Sequence, residues 1–301
     1  MKIGIIGLGK MGFNLAQNLM DSGHSVVAFN RTLSKVDEIK KHGVISSYSL
    51  QEFVNKLGKK KVIWLMVTAG NAVDVILKQL VPLLEEGDVV IDGGNSFYKD
   101  SIRRAKSLNP KGIVFMDIGT SGGITGARNG ACLMIGGDKK TFERLEGVFK
   151  GISVQNGYGY FGKSGSGHFV KMVHNGIEYG MMQAIGEGLE VIDRSDFEVD
   201  KEKLAKVWNN GSVIRSWLVE LIQNAYSKDK ELKKYSGVVG LSGEGEWTVQ
   251  TAKEIGVQVP VIEASVNMRL RSNELKLYQG KVVQALRYEF GQHEEPSYEK
   301  Q

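Results

Sequence analysis

The sequence predicts an α/β protein, in which an N-terminal domain with a doubly wound sheet is followed by an all-α C-terminal domain. Strand and helix patterns alternate through the first half of the 301 residues, which is typical of a sheet with helices on both faces. Helical patterns fill the second half almost without interruption. Hydrophobic residues form 42% of the chain, so it has enough apolar side chains for a sizeable core.

The predicted strands of the first half are short apolar or β-branched runs, as expected for strands that are buried on both faces. They lie at Lys2–Ile6, Ser25–Phe29, Val62–Val67, Val89–Ile91, Ile113–Asp117 and Leu133–Ile135. Helical patterns follow them, beginning with Gly12–Ser22 and Ser34–Lys41. We predict that this domain spans residues 1–164.

The predicted helices of the second half begin with a long one, Gly167–Arg194, which contains several glycines but no proline. The others are Lys201–Asn209, Ser216–Tyr226, Glu246–Ile255, Val261–Arg269 and Lys276–Phe290. We therefore predict an all-helical domain over residues 165–301.

Composition argues against several classes of partner. The net charge of +5 is spread along the chain, with no long basic run beyond Lys59–Lys61, so a nucleic-acid partner is not expected. No apolar run is long enough to cross a bilayer, so no membrane partner is expected either. Cys132 is the only cysteine, and its apolar neighbours predict a small core residue. Because no disulfide can form within the chain, we expect a protein of the reducing cytoplasm.

A G-x-G-x-x-G motif follows the first predicted strand and opens the first predicted helix. Its residues are Gly7, Leu8, Gly9, Lys10, Met11 and Gly12. In such a motif the first glycine permits a tight turn, the second lets the backbone approach a pyrophosphate, and the third lets helix and strand pack closely. The helix N-terminus then directs N–H groups and a positive dipole end at the phosphates. The motif predicts a Rossmann dinucleotide site, and a tight turn without a ligand is the alternative.

The residues that end the second strand bear on the choice of dinucleotide. An acidic residue there would accept hydrogen bonds from the adenosine ribose and favour NAD. This chain has the neutral Asn30 instead, followed by Arg31 and Thr32. Arg31 can pair with a 2′-phosphate and stack on adenine. The segment therefore favours NADP, with NAD as the alternative and a merely solvated Arg31 as the third interpretation.

Five polar side chains of the long helix fall on one face. They are Lys171, His174, Asn175, Glu178 and Tyr179, at i, i+3, i+4, i+7 and i+8. A lysine made less basic by burial can take a proton from an alcohol, and a protonated glutamate can return one. This face predicts acid–base chemistry, and a polar stripe directed to water is the alternative.

Two loops of small residues follow buried strands, at the sheet edge where ligands bind in such folds. They are Asp92–Ser96 and Gly119–Gly123. Their N–H groups can approach a substrate carboxylate closely, although each loop could also be an ordinary turn.

In these segments the chain resembles the short bacterial 6-phosphogluconate dehydrogenases, and the resemblance extends over essentially the whole length. The segments are GLGKMGFNL, NRT, DGGNS, SGG, GHFVKMVHNGIEYG and FGQH, in the family's order. KMVHNGIEYG is the most specific, since the wider β-hydroxyacid dehydrogenase superfamily keeps only a lysine and an asparagine there. The resemblance implies oxidative decarboxylation of 6-phosphogluconate to ribulose 5-phosphate and CO2, with reduction of NADP or NAD. That reaction belongs to the pentose phosphate pathway and gluconate metabolism.

The resemblance also implies roles for individual residues. Lys171 would be the general base for the C3 hydroxyl, and Glu178 the acid that protonates C1 of the enediol. The sugar acid and its phosphate would be held by Asn95, Ser121, Gly122, Gly123, His174, Asn175, Tyr179, Arg269, Arg287 and His293. The dinucleotide would contact Gly7, Leu8, Gly9, Lys10, Met11, Gly12, Asn30, Arg31, Thr32, Val67 and Asn95.

Two further properties follow from the resemblance. No metal is required, because the 3-keto intermediate is itself the electron sink for decarboxylation. A homodimer or a dimer-based oligomer is implied, because in the family the terminal arginine and histidine reach into the partner subunit.

One segment departs from the family pattern. Longer members carry Lys-Gly-Thr-Gly-Lys-Trp-Thr at the substrate phosphate, where this chain has Ser242-Gly243-Glu244-Gly245-Glu246-Trp247-Thr248. Two acids near a phosphate are unfavourable unless they point away. We therefore expect Arg269, Arg287 and backbone N–H groups to hold the phosphate.

Two other functions remain as alternatives. A β-hydroxyacid dehydrogenase for 3-hydroxyisobutyrate or tartronate semialdehyde would not decarboxylate its substrate, and the DGGNS segment and Glu178 count against it. A non-catalytic dinucleotide sensor would not need Lys171 and Glu178.

Overall fold

The computed structural model describes residues 1–296, which divide into two compact units, one ending at Met172 and the next beginning at Val173. Each unit has its own hydrophobic core. The domain boundary between residues 164 and 165 stays a prediction.

The first unit is built on an eight-stranded sheet of order β3-β2-β1-β4-β5-β6-β7-β8. The strands are β1 Lys2–Ile6, β2 Ser25–Phe29, β3 Ile45–Ser47, β4 Val62–Leu65, β5 Val89–Asp92, β6 Val114–Ser121, β7 Ala131–Gly136 and β8 Ser153–Gly162. The chain runs outward from β1 to β3 and then returns to place β4 on the other side of β1. The crevice at this reversal of strand order is where a doubly wound sheet binds ligands.

Helices cover both faces of this sheet. They are α1 Lys10–Asp21, α2 Leu33–Lys40, α3 Leu50–Leu57, α4 Asn71–Leu80, α5 Tyr98–Leu108, α6 Gly123–Asn129 and α7 Lys139–Ile152. Successive strand residues enter different cores, because side chains alternate across a sheet. On β4, Trp64 packs into one hydrophobic cluster and Ile63 into the other. The predicted doubly wound α/β fold is confirmed.

The second unit is helical, and its described part contains no strand. Its helices are α8 Ser166–Asp193, which begins in the first unit, α9 Lys201–Asn209, α10 Trp217–Lys228, α11 Glu244–Glu254, α12 Pro260–Leu275 and α13 Tyr278–Gly291. Met182, Leu189, Ile222, Tyr226 and Leu286 are among the side chains at the centre of its core. The prediction of an all-helical second part is confirmed.

The strand pattern of the sequence missed three features. The strands β3 and β8 were not predicted, because β3 is three residues long and β8 is rich in glycine and half-exposed. The βαβ series also gave no sign that β7 runs antiparallel to β6. The expectation of a buried Cys132 was wrong, since its side chain lies on the exposed face of β7. In the part of the chain that is described, no helix combines the length and the apolar character needed to cross a membrane.

Candidate active site

The three glycines of the motif between β1 and α1 have different surroundings; we call residues Gly7–Gly12 the glycine loop. Gly7 has a φ of +101°, and a Cβ there would collide with the carbonyl oxygen of Met66. A Cβ on Gly12 would collide with the carbonyl oxygen of Gly7. Gly9 differs, because no described atom lies within 4 Å of where its Cβ would be. Two of the glycines therefore permit close packing, and the third faces open space.

The start of α1 suits an anion. Gly9 is the N-cap residue and offers no side-chain hydrogen bond, so the first N–H groups of the helix are not capped by it. The N–H groups at a helix start and the helix dipole favour negative charge at this point. The loop thus fits the pyrophosphate of a dinucleotide, with its approach over Gly9.

Asn30 has a contact that its predicted role did not suggest. Its Oδ1 accepts a hydrogen bond of 2.9 Å from the backbone N–H of Leu8, and its Nδ2 donates to the carbonyl oxygen of Thr32 at 3.0 Å. Asn30 therefore joins the end of β2 to the glycine loop. Arg31 next to it is exposed and directed away from the core.

Val67 lies where the first two loops of the site approach each other. A Cβ on Gly7 would lie 3.0 Å from Cγ1 of Val67, and a Cβ on Gly94 would collide with the carbonyl oxygen of Val67. The structure thus brings the predicted cofactor residue Val67 next to the glycine loop and to the loop that follows β5.

A buried carboxylate shapes the loop after β5. Oδ1 of Asp92 accepts from the N–H of Gly94 at 3.1 Å, and Oδ2 accepts from Oγ of Ser96 at 2.8 Å. Arg104 of α5 donates to the same Oδ2 at 3.1 Å. Arg104 also forms an ion pair with Asp74, and its hydrogen bond to Asp74 is the main reason that the pKa of Asp74 falls to about 2. Sequence reasoning missed this network, since no motif links α5 to the loop.

Asn95 connects this loop to the next one. It has a φ of +51°, and its Oδ1 accepts from the N–H of Thr120 at 3.0 Å while its Nδ2 donates to the carbonyl oxygen of Thr120 at 3.3 Å. The second loop continues through Ser121 into Gly122 and Gly123, which both have positive φ and precede α6. No side chain caps α6 at Gly122, so this helix start also presents backbone N–H groups.

The beginning of α8 is fixed in the first unit. The buried carboxylate of Asp117 accepts from the N–H groups of Gly165 at 2.6 Å and of His168 at 2.8 Å. Oγ of Ser101 lies 2.7 Å from Nδ1 of His168. These contacts anchor the first turn of the helix, and Lys171 follows one turn later.

Lys171 is buried and lies against β6. A Cβ on Gly119 would collide with Cβ of Lys171, so only a glycine at 119 lets the lysine approach so closely. Gly119 lies within β6, not in a loop as the sequence predicted, and it belongs to the first unit together with the lysine. Gly119 thus positions the predicted base.

Further along α8, the second unit brings other predicted residues together. Nδ1 of His174 lies 2.9 Å from Oδ1 of Asn175 and 3.7 Å from Oε2 of Glu178. The glutamate is partly buried, with 22% of its side chain exposed. This face of the helix is therefore not simply directed to water.

A second group of predicted residues surrounds Tyr179. The guanidinium carbon of Arg269 lies 3.2 Å from the centre of the Tyr179 ring, and the hydroxyl of Tyr179 lies 3.0 Å from Oγ of Ser242. Burial lowers the pKa of Arg269 to about 10; Arg287 adds to this effect, and Glu178 and Glu244 oppose it. Burial also lowers the pKa of Arg287. We call Tyr179, Glu244, Arg269 and Arg287 the arginine cluster.

The end of α13 is tied to this cluster through Gln284. Oε1 of Gln284 accepts from Nη1 of Arg287 at 2.8 Å, and its Nε2 donates to the carbonyl oxygen of His293 at 2.7 Å. The resemblance implied that Arg287 and His293 reach into a partner subunit. Within its own chain, Arg287 is held in the arginine cluster by Gln284, which no sequence motif indicated, and the contact with a partner subunit stays a prediction.

The two acids of the segment 242–248 behave differently. Glu246 is exposed, as expected for an acid that points away. Glu244 is buried and close enough to Arg269 and Arg287 to affect the pKa of both. Glu244 therefore does not point away from the arginines, because α11 turns that side chain inward.

Two family models match the chain nearly from end to end. The NAD-binding domain of 6-phosphogluconate dehydrogenase matches residues 2–162, and the C-terminal domain of the same enzyme matches residues 167–293. The chain belongs to the 6-phosphogluconate dehydrogenase family. The predicted family is thereby confirmed, together with dependence on a nicotinamide dinucleotide.

Relatives within the 6-phosphogluconate dehydrogenase family match over most of the chain. A putative 6-phosphogluconate dehydrogenase of Bacillus subtilis is 50% identical over 97% of this chain and 98% of its own. The NAD(+)-dependent, decarboxylating enzyme of Haloferax volcanii is 43% identical over 98% of both chains. Among solved structures, 6-phosphogluconate dehydrogenase of Plasmodium falciparum superposes with a TM-score of 0.84 at 35% identity. The match covers 92% of this chain and 63% of the Plasmodium chain.

Proposed function

We propose that this protein oxidises and decarboxylates 6-phosphogluconate to ribulose 5-phosphate and CO2, with a nicotinamide dinucleotide as oxidant. The observation that carries the proposal is the face of α8, where Lys171, His174, Asn175, Glu178 and Tyr179 share one unbroken helix. Lys171 is buried against Gly119, and Glu178 is partly buried beside His174. Membership of the 6-phosphogluconate dehydrogenase family supports the same reaction.

Each group of residues has a step in this reaction. The glycine loop binds the pyrophosphate through backbone N–H groups, and Asn30 holds the loop in shape. The dinucleotide held by these residues would supply the acceptor for the hydride of C3. Nζ of Lys171 takes the proton of the C3 hydroxyl as the hydride leaves, which makes C3 a ketone. When C1 departs as CO2, this ketone stabilises the electron pair left on C2, the carbon that becomes C1 of the enediol and of the product. Glu178 then protonates C1 of the enediol, which completes the product.

The remaining substrate contacts are proposed as follows. Backbone N–H groups of the Ser121–Gly123 segment lie at an uncapped helix start and suit the substrate carboxylate. Asn95, His174 and Asn175 would bind hydroxyl groups of the sugar acid. The phosphate would bind to the second unit, at Tyr179, Arg269, Arg287 and His293.

We propose NADP as the preferred dinucleotide, with NAD as the alternative. Oδ1 of Asn30 accepts a hydrogen bond from the N–H of Leu8, so the exposed Arg31 is the side chain suited to a 2′-phosphate. Both cofactors occur among the relatives: the Haloferax enzyme is called NAD(+)-dependent, and the Plasmodium enzyme is described in complex with NADP+.

We further propose a homodimer, or an oligomer of dimers, that works in the cytoplasm. Ile177, Met181 and Val191 of α8 expose 54%, 43% and 72% of their surface, as apolar side chains do at an interface between subunits. Light scattering of the purified protein tests this, and a monomer at micromolar concentration would refute it.

The products test the reaction. We expect one CO2 and one ribulose 5-phosphate for each dinucleotide reduced with 6-phosphogluconate. Reduction of the dinucleotide without release of CO2 would instead indicate a non-decarboxylating β-hydroxyacid dehydrogenase.

Two variants separate the halves of the mechanism. General acid–base groups contribute about 10²–10⁴-fold to a rate, so Lys171→Met should lose at least that much activity. Lys163→Met, which removes an exposed lysine before α8, is the matched control and should keep full activity. In deuterated water, wild type should place one deuterium at C1 of the product with defined stereochemistry. Glu178→Gln should do so slowly or without stereocontrol, and full rate with full stereocontrol would remove Glu178 from the mechanism.

A further inference from the structure

Two buried polar atoms of opposite charge in the second unit have no hydrogen-bond partner among residues 1–296. They are Nη2 of Arg269 and Oε2 of Glu244. The two residues expose only 4% and 9% of their surface, so bulk water does not readily replace the missing partners. Because a buried polar group without a partner is costly, such a pair indicates a place that a ligand completes.

Both residues belong to one arrangement of charges. Arg269 comes from α12 and Arg287 from α13, and Glu244 acts on the pKa of both guanidinium groups. From α8, Tyr179 stacks on Arg269, and its ring lies 2.5 Å from where a Cβ on Gly245 would be. Glu178, also on α8, is the other carboxylate that acts on the two arginines.

The two unpaired atoms require different things of a ligand. A guanidinium group only donates hydrogen bonds, and an ionised carboxylate only accepts them. A fully ionised phosphate accepts bonds from the arginine, but it has no proton to offer Glu244 and is repelled by it. A phosphate that keeps one proton satisfies both. The charges agree when Glu178 carries the proton that its proposed role as the acid requires, since two arginines and Glu244 then leave a single positive charge for a monoanion.

We propose that Glu244 sets the protonation state in which this chain binds its phosphorylated substrate, by sharing one proton with a phosphate oxygen. This rests on the proposed function, because it concerns the phosphate of the same sugar acid. Longer family members have a threonine at this place and a lysine in place of Ser242, so the shared proton is a property of chains with the segment seen here. Glu244 thus determines specificity, whereas Arg269 and Arg287 supply the attraction.

A dependence on pH follows. The second pKa of a phosphate monoester is about 6, so free 6-phosphogluconate is mostly a dianion above that pH. Binding must then take up one proton, and the dissociation constant should rise about tenfold for each pH unit above about 6. Arginine stays protonated in this range. His174, which lies 3.7 Å from Glu178, is a second titratable side chain of this helix face, so the dependence has to be assigned with variants of Glu244.

Calorimetry of 6-phosphogluconate binding without dinucleotide measures the proton directly. At pH 8, titrations in two buffers of different ionisation enthalpy should show that wild type takes up about one proton per substrate bound. Glu244→Gln should take up about one proton fewer and bind more tightly at this pH. Glu246→Gln removes an exposed acid from the same turn and should behave as wild type. Equal proton uptake by wild type and Glu244→Gln would overturn the proposal.

If Glu244→Gln does not fold, a measurement on wild type alone can still overturn the proposal. Its dissociation constant should rise about tenfold per unit between pH 6.5 and pH 8.5, and a constant value would overturn the proposal. Release of CO2 from 6-phosphogluconate tests the proposed function separately. Normal turnover without proton uptake would reject only the role of Glu244, whereas absence of binding and turnover would reject both.

Discussion

The glycine loop and the arginine cluster are built in opposite ways. In the loop, the backbone makes the contacts: Gly7 and Gly12 allow close approach of carbonyl oxygens, and Gly9 faces open space. In the cluster, side chains from four helices bring buried charges together, and the pKa of Arg269 falls to about 10. A site formed by backbone groups therefore depends on the absence of side chains, whereas a site formed by charged side chains depends on the balance between positive and negative charges.

Substitutions within the glycine loop should give the largest effect. A methyl group on Gly12 would overlap the carbonyl oxygen of Gly7, and overpacking of this kind costs about 1–3 kcal/mol or more. Gly12→Ala should therefore weaken dinucleotide binding about a hundredfold and lower the melting temperature. Fluorescence titration with NADP and NAD measures the first effect, and thermal unfolding measures the second.

Gly9→Ala is the matched variant for this test. Its methyl group meets no described atom within 4 Å, so the melting temperature should stay the same. Dinucleotide binding should still weaken, because the ligand approaches over Gly9. If Gly9→Ala bound dinucleotide as well as wild type, the pyrophosphate would not lie over this residue.

Removal of one charge from the arginine cluster should give the next largest effect. A hydrogen bond to a charged group contributes about 1.5–3 kcal/mol, so Arg269→Met should raise the Michaelis constant for 6-phosphogluconate about 10- to 150-fold. The melting temperature should fall as well, because the buried Glu244 loses one of the two cations that act on it. Arg271→Met, an exposed position on the same helix, is the control. An unchanged Michaelis constant in Arg269→Met would place the phosphate elsewhere.

Arg31→Ala tests the exposed charge that we assign to the 2′-phosphate of the dinucleotide. Loss of a charged contact to the 2′-phosphate should weaken NADP binding about tenfold or more. NAD lacks this phosphate and should bind unchanged, which makes it the internal control. A wild-type enzyme that already prefers NAD would contradict the assignment.

The smallest expected effect concerns the ion pair behind the loop after β5. The hydrogen bond from Arg104 lowers the pKa of Asp74 from 3.8 to about 2, so the pair stabilises the fold above pH 4 and loses this effect as the pH falls toward 2. Because a third of the Asp74 side chain is exposed, solvent reduces the contribution to about 1 kcal/mol.

Urea unfolding of Asp74→Asn checks this value. The variant should be less stable than wild type at pH 7, and the difference should vanish near pH 2. Asp100→Asn, which removes a carboxylate that pairs with the exposed Arg103, should change stability little at either pH. A difference between wild type and Asp74→Asn that persisted at pH 2 would have another cause.

The sequence predicted β1, β2 and α9 with their observed bounds, because each has a clear periodicity and a clear end. It did not predict β8, whose glycines and polar residues resemble a loop until they pair with β7. The sequence also did not predict that Cys132 is exposed, for a related reason. An apolar run says that a strand is mostly buried, but not which of its residues faces outward.

The sequence by itself determined the dinucleotide loop, the composition of the α8 face and the family. These depend on residues within one turn or one helix, where spacing fixes geometry. Only the tertiary structure decided that Asn30 holds the glycine loop, that Gln284 holds Arg287, and that Glu244 faces inward while Glu246 does not. These contacts join segments far apart in the chain, and which side chains meet there depends on how strands and helices pack against one another.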